Sequence, residues 1–360
     1  MKSHFIILAF VLSAVVQTGC GSGQKDTGQT PQNSIERILV TEAWNSPRNE
    51  TDNVDSPAFW YAPDGNHIVI ATAKSTDRLL VYDAKSGKLL RTIGTSGSGI
   101  GQLKRPNGIA IVDDLAIIVE RDNHRIQVFR LPDGKPLGYF GADQLIKPYG
   151  IAVIRMDKGF SLYVTDNYET ADEMVPPASE LGRRVKRFSL TVTGDVAEGN
   201  YLGSFGETTG AGVLQIVESI CADTVHNVLL IADEDSARND VKVYDLDGRF
   251  TGDIVGKGLF KSQPEGIVLY ECPDGGGYWV MTDQGKTENN FLVFDRVTFE
   301  FVGMFHGSAT RNTDGIVLTQ RSFDSFAAGA FFAIHDDGNV SAFDWSEIAK
   351  ALKLARTCVQ

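Results

Sequence analysis

The sequence predicts an all-β protein, a six-bladed β-propeller with four-stranded blades, closed by a strand from its own N-terminus. Three observations carry this. A short opening recurs six times: Pro57-Ala58-Phe59-Trp60, Pro106-Asn107-Gly108-Ile109-Ala110, Pro148-Tyr149-Gly150-Ile151-Ala152, Glu218-Ser219-Ile220, Pro264-Glu265-Gly266-Ile267 and Thr313-Asp314-Gly315-Ile316. A spacing of roughly 40 to 55 residues is the signature of a repeat architecture. Each opening leads into an apolar run and then into a further run with an aromatic near its end, as at 79–82, 126–129 and 291–294. Helical periodicity is almost absent beyond residue 34, and 37 glycines among 360 residues suit a chain of many tight turns.

Each blade follows in order from that unit. The opening is the inner strand, and the second strand is the apolar run at 67–71, 115–119, 161–165, 228–232, 278–282 or 331–335. The aromatic-ended run is the third strand, and 89–93, 137–140, 202–205, 251–255 and 301–305 supply outer strands. No single blade covers both faces of its own sheet, so blades are stable only when packed around a ring. The sixth unit lacks an outer strand and ends in a short helical pattern at 346–354, which leaves residues 35–43 to complete it and clasp the two chain ends together.

The first residues read as an address. Lys2 precedes an apolar run at 5–16, too short for a spanning helix, and Gln17-Thr18-Gly19-Cys20 follows as a small-residue cleavage site. Residues 1–19 are expected to be a lipoprotein-type signal peptide, Cys20 the lipidated residue, 20–34 a flexible tether, and 35–360 the propeller. Export to a bacterial cell envelope follows from that expectation, anchored through Cys20 or else periplasmic or secreted. Membrane contact is expected through the anchor alone. Cys221, Cys272 and Cys358 remain; three is odd, so at most one disulfide forms and its pairing is open.

With 46 acidic against 34 basic residues, a net charge of −12 argues against a nucleic-acid partner, because phosphate backbones need basic surface. An anionic small molecule stays possible where divalent cations bridge acid to acid. A closed ring buries its core without a partner, so a monomer is expected.

Two resemblances sharpen the reading. Residues 99–140, with Asn123-His124-Arg125, resemble an NHL repeat, in which His124 and Arg125 are structural turn residues. Asp55-Ser56-Pro57-Ala58-Phe59-Trp60, Ile231-Ala232-Asp233-Glu234-Asp235, Glu265-Gly266-Ile267-Val268-Leu269-Tyr270, Asp283-Gln284-Gly285, Thr313-Asp314-Gly315-Ile316 and Phe343-Asp344-Trp345-Ser346-Glu347 resemble, in order, segments of the β-propeller phytases. That resemblance covers about residues 35 to 354.

It implies a Ca2+-dependent phosphomonoesterase, similar to 3-phytase, that hydrolyses phytate (inositol hexakisphosphate) or a related organic phosphate with metal-activated water. The metal ligands it implies are Asp55, Glu218, Asp233, Glu234, Glu265, Gln284 and Asp314, with Glu218, Glu265 and Asp314 central to catalysis. Lys74 and Arg121 match phosphate-binding cations. Calcium takes six to eight oxygen ligands, which carboxylates converging from several blades can supply. Departures from the family pattern fall at Ser56 and Gln263, where an acid would stand, at Ile154, where a phosphate-contacting tyrosine would stand, and at Asn167, in place of a lysine, beside an insertion at 172–179. These departures leave a second reading open, a non-catalytic NHL-like propeller that binds a peptide, glycan or protein.

Overall fold

The computed structural model describes residues 35–354 and Cys358. The expected signal peptide, Cys20 and the tether lie outside the described residues. Six four-stranded antiparallel blades are present, each running from an inner strand outward, and the fold is the six-bladed β-propeller that the repeats predict. The inner strands are Val54–Trp60, Pro106–Val112, Pro148–Arg155, Val217–Asp223, Gln263–Glu271 and Ile316–Thr319. The second strands, Ile68–Ala73, Leu115–Glu120, Phe160–Asp166, Val228–Asp233, Gly277–Gln284 and Ala330–His335, are almost wholly buried. Their near-continuous apolar runs follow from having a neighbouring blade on each face.

Six apolar clusters form, one at each junction between neighbouring blades. Between blades five and six, for example, Phe291, Phe305, Phe331 and Phe343 lie with ring centroids 4.9–6.1 Å apart. Such edge and tilted pairs add to the area they bury. The ring is therefore held by six equivalent cores rather than one.

The N-terminus closes the ring, but by a different segment from the one expected. The outer strand of blade six is Trp44–Asn45, antiparallel to Asn339–Asp344, and Ala43 and Ser46 extend the ladder by donating to Ala342 and Val340. Arg37–Leu39, inside the expected 35–43 segment, instead pairs parallel with Phe301–His306 and becomes a fifth strand on blade five. Glu42, between these two short strands, accepts five hydrogen bonds from Ser308, Ala309 and Thr310. The segment thus ties blade five to blade six as well as the two chain ends.

The C-terminal helix spans Trp345–Ala351, capped by Asp344 accepting from the Ser346 N–H. Trp345 is fully buried and stacks on Tyr270 at 4.4 Å. The open disulfide question resolves as Cys272–Cys358, with Cα atoms 5.3 Å apart. Cys221 is a free, half-buried thiol that burial pushes up to about 12. The third unit exceeds the expected spacing because 18 residues, 167–184, link its second strand, Phe160–Asp166, to its third, Val185–Thr193.

Candidate metal centre at the propeller rim

The six openings place six side chains at one level. In blades one to five the inner strand carries an irregularity near its start, where two of its residues face one of the second strand. A bulge of this kind re-aims a side chain. The first residue inside each irregularity is Asp55, Asn107, Tyr149, Glu218 or Glu265, and Asp314 stands two residues before Ile316 in blade six. Their backbones interlock: Gly266 donates to Asp314 O and Gly315 to Asp55 O, both at 2.9 Å. A Cβ on Gly315 would lie 2.7 Å from Asp55 O, so only glycine lets the blades approach this closely there. Thr72 receives the Ser56 N–H and donates to Asn107 O, and Thr165 likewise joins Gly150 to Glu218 O.

A second tier sits where each second strand ends, at Lys74, Arg121, Asn167, Glu234 and Gln284. The N–H groups of the first four donate to residues just before the inner-strand openings, at 2.9–3.0 Å. The repeat therefore sets both tiers on the same rim.

Within this rim the structure brings together Asp55, Lys74, Glu218, Glu234, Glu265, Gln284 and Asp314. The Lys74 ammonium, on a side chain 8% exposed, lies 2.8 Å from Asp55 Oδ1 and 3.3 Å from Asp314 Oδ2. Tyr149 donates its hydroxyl to Asp55 Oδ1 at 3.4 Å and receives Lys74 at 3.5 Å. Gln284 donates to Asp314 Oδ1, and Gln263 donates to Glu234 Oε2 at 3.1 Å. Carboxylate oxygens of Glu218, Glu234 and Glu265 all lie within 4.8 Å of one another. Glu234 Oε1 is buried with no hydrogen-bond donor.

Five carboxyl groups thus crowd one end of the ring, and the one ammonium among them pairs with Asp55 and Asp314. Burial, reinforced by the charge of Asp55, pushes Glu218 up to about 7. Burial and the neighbouring carboxylates hold Glu234 and Glu265 well above the usual range, and Asp314 rises for the same reasons despite Lys74. Burial alone would lower Lys74, but Asp55, Asp314 and Glu218 outweigh it and raise it. Like charges so crowded cannot all ionise unless another cation joins them. The donor set is oxygen only, which suits a hard cation such as calcium rather than a thiolate- or imidazole-seeking metal.

Asp233 is not brought into this cluster. Its carboxylate accepts the N–H groups of Gln215, Ile216 and Asp235 and pairs with the buried Lys242 at 3.5 Å. It repeats a joint found at Asp166–Lys186 and Glu120–Arg125. In a strand, adjacent residues point to opposite faces, so if Glu234 reaches the rim, Asp233 does not. Arg121 stands on the rim with its side chain 25% exposed and its Nε donating to Asp122 at 2.7 Å.

The expected loss of an aromatic at Ile154 is corrected. Ile154 is buried in the apolar cluster between blades three and four, while Tyr149, five residues earlier on the same strand, is the aromatic of the ring. Asn167 is buried and receives the Val217 N–H at 3.4 Å. Asp337, unmarked by any motif, lies near enough to Lys74 and Asp55 to feel both charges. Arg125 of the NHL-like run pairs with Glu120 at 2.7 Å and donates to Ser98, Gly99 and Gln102 carbonyls, while His124 adopts φ +54, so both serve the turn.

The fold and rim define a six-bladed propeller with a buried acidic centre at one end of its ring. Among known families, the Phytase model matches residues 210–348 and the NHL repeat model residues 103–129. The chain is a six-bladed β-propeller that resembles the phytases over residues 210–348 and an NHL repeat over residues 103–129. The phytase match contains Glu218, Glu234, Glu265, Gln284 and Asp314; Asp55, Lys74 and Arg121 fall outside it. No curated protein matches the chain. Among solved structures, hydrazine synthase of Kuenenia stuttgartiensis aligns over 86% of this chain and 82% of its own, with TM-score 0.50 and 12% identity. A nidogen/laminin complex aligns over 72% of this chain and 82% of its own, with TM-score 0.45 and 14% identity. At such identities the first shares the fold alone.

Proposed function

We propose that the protein is a calcium-dependent phosphomonoesterase acting on phytate or a related organic phosphate. The observation that carries this reading is the trio Glu218, Glu234 and Glu265, with a buried Glu234 oxygen that no donor meets. The phytase match over the same residues supports a phosphate ester as substrate. Glu218, Glu234 and Glu265 would hold the ion, with the Gln263 amide donating to Glu234 Oε2 beside it. Calcium, when bound, would draw electron density from phosphoryl oxygens and lower the pKa of water.

The chain's own residues then have distinct tasks. Arg121, at the end of a blade-two strand, offers guanidinium donors that match a phosphate in a planar fork. Lys74 neutralises Asp55 and Asp314 from within the ring, lowering repulsion toward an approaching anion. Tyr149, whose hydroxyl burial holds well above its ordinary value, stays protonated and donates to Asp55. Asp55 and Asp314 are engaged by Lys74, which leaves water as the proposed nucleophile.

Export and anchoring through Cys20 belong to the same proposal. The Cys272–Cys358 disulfide supports an oxidising compartment. Among the described residues no helix is long and apolar enough to cross a membrane.

Phosphate release from phytate, glycerophosphate, sugar phosphates and nucleotides, measured with calcium and with excess chelator, tests the proposal. Release from at least one ester that requires calcium is expected. No release from any ester at any calcium concentration would exclude the activity.

A further inference from the structure

Building on the calcium reading above, we infer that Lys74 is a built-in cation occupying the place of a second metal ion, so that the ring binds one calcium rather than two. The five rim carboxyls, four of the ring and Glu234 of the second tier, fall into two sets. Asp55 and Asp314 share the Lys74 ammonium at 2.8 and 3.3 Å. Their remaining oxygens are also met: Ser56 Oγ donates to Asp55 Oδ2 at 3.2 Å, and Gln284 donates to Asp314 Oδ1. Every oxygen of this pair already has a donor, and a divalent ion would have to evict a buried ammonium to reach it.

The other set is the trio of glutamates. Among the described residues no ammonium or guanidinium forms an ion pair with Glu218, Glu234 or Glu265, although Glu218 feels the charge of Lys74, and Glu234 Oε1 is buried without a donor. Three carboxyl groups within 4.8 Å of one another can all ionise only with a positive particle between them. One divalent ion at the trio leaves a formal charge of −1, and one ammonium at the aspartate pair leaves −1 as well. The two halves are balanced by different cations, one bound and one covalent.

The burial of Lys74 makes its position a commitment. Its side chain is 8% exposed, and its backbone N–H is fixed to Asn53 O at 2.9 Å. Swinging out to a substrate phosphate would leave two buried aspartates unpaired, a costly exchange. Phosphate contact then falls to Arg121, and the ring grips its substrate with one fewer mobile charge.

Calorimetric titration of calcium into the chelator-stripped full chain tests this, with folding of each variant checked by circular dichroism. The wild type is expected to bind one ion, Lys74→Met two, and Lys74→Arg one. Two or more ions in the wild type, or one in both wild type and a folded Lys74→Met, would overturn the inference while leaving the calcium reading intact. No ion in the wild type but one in Lys74→Met would sink the glutamate subsite and uphold the role of Lys74. Should Lys74→Met not fold, Asp314→Asn decides: the single ion is expected to remain, and its loss would place calcium at Asp314 and overturn the inference.

Discussion

Replacing Glu42 with Gln should loosen the closure of the ring, and by an amount that depends on pH. Burial alone would raise this carboxyl, but donors from Ser308, Ala309 and Thr310 outweigh it and bring it down from 4.5 to about 2. A depressed carboxylate contributes stability that is fully present above its unfolded value and is lost as pH falls through its folded value. The nominal worth of such a shift is about 3 kcal/mol at pH 7, at 1.36 kcal/mol per unit. Glu42 is only half buried, so solvent screening reduces this to about 1–2 kcal/mol. Linkage leaves roughly two-fifths of that contribution at pH 3. Urea unfolding of wild type and Glu42→Gln at pH 7 should therefore differ by about 1–2 kcal/mol, with the gap shrinking below pH 4.5. Equal stabilities at pH 7, or a gap that widens on acidification, would show that Glu42 does not clamp the blade five to six junction as a carboxylate.

Three further outcomes are expected. Glu234→Gln should raise the melting temperature in chelator, because it removes one of several crowded like charges, and should abolish the rise that calcium gives the wild type; scanning calorimetry with and without calcium reads both. Asp233→Asn, one residue away, should do the reverse in the same scans: it should cost about 1–3 kcal/mol by weakening the acceptor of three backbone N–H groups and removing one of the two carboxylates on the buried Lys242, which keeps Asp240, while the calcium-dependent rise is retained. Cys272→Ser should lose up to about 4–5 kcal/mol in chemical unfolding, the chain-entropy value for a loop of 86 residues, with an overall β spectrum by circular dichroism unchanged from the wild type.

Much of the rim was legible because a repeat makes position meaningful. Glu218, Glu265 and Asp314 stand at one offset within their openings, Asp55 reaches the same place from two residues before Pro57, and the inner strands aim these positions at one place. Tyr149 and Asn107 stand at the same offset in plain view, yet a search for acids passes over them; aligning the six openings by offset rather than by charge finds both. Ile154 misled because a matching residue type was sought five positions along a strand whose other end builds the site. Asp233 and Glu234 could not be separated by composition, since the choice depends on which strand face continues past the last ladder pair. Closure by the N-terminus was readable from the missing sixth outer strand, but its register was not. A two-residue period suits either exposed edge, and Trp44 is chosen by contacts distant in sequence: it packs on Phe332 and donates its indole N–H to Ala84 O. The pairing of Cys272 with Cys358 likewise depended on Cys358 lying beside Tyr270 of blade five.

The most direct test is phosphate release by wild type and Glu234→Gln measured side by side across calcium concentration. Wild-type release should rise to saturation with calcium and vanish in chelator, while the variant should need at least about tenfold more calcium or fail to respond, as loss of a carboxylate ligand predicts. Equal release by both proteins, unaffected by chelator, would contradict a calcium centre built on Glu218, Glu234 and Glu265.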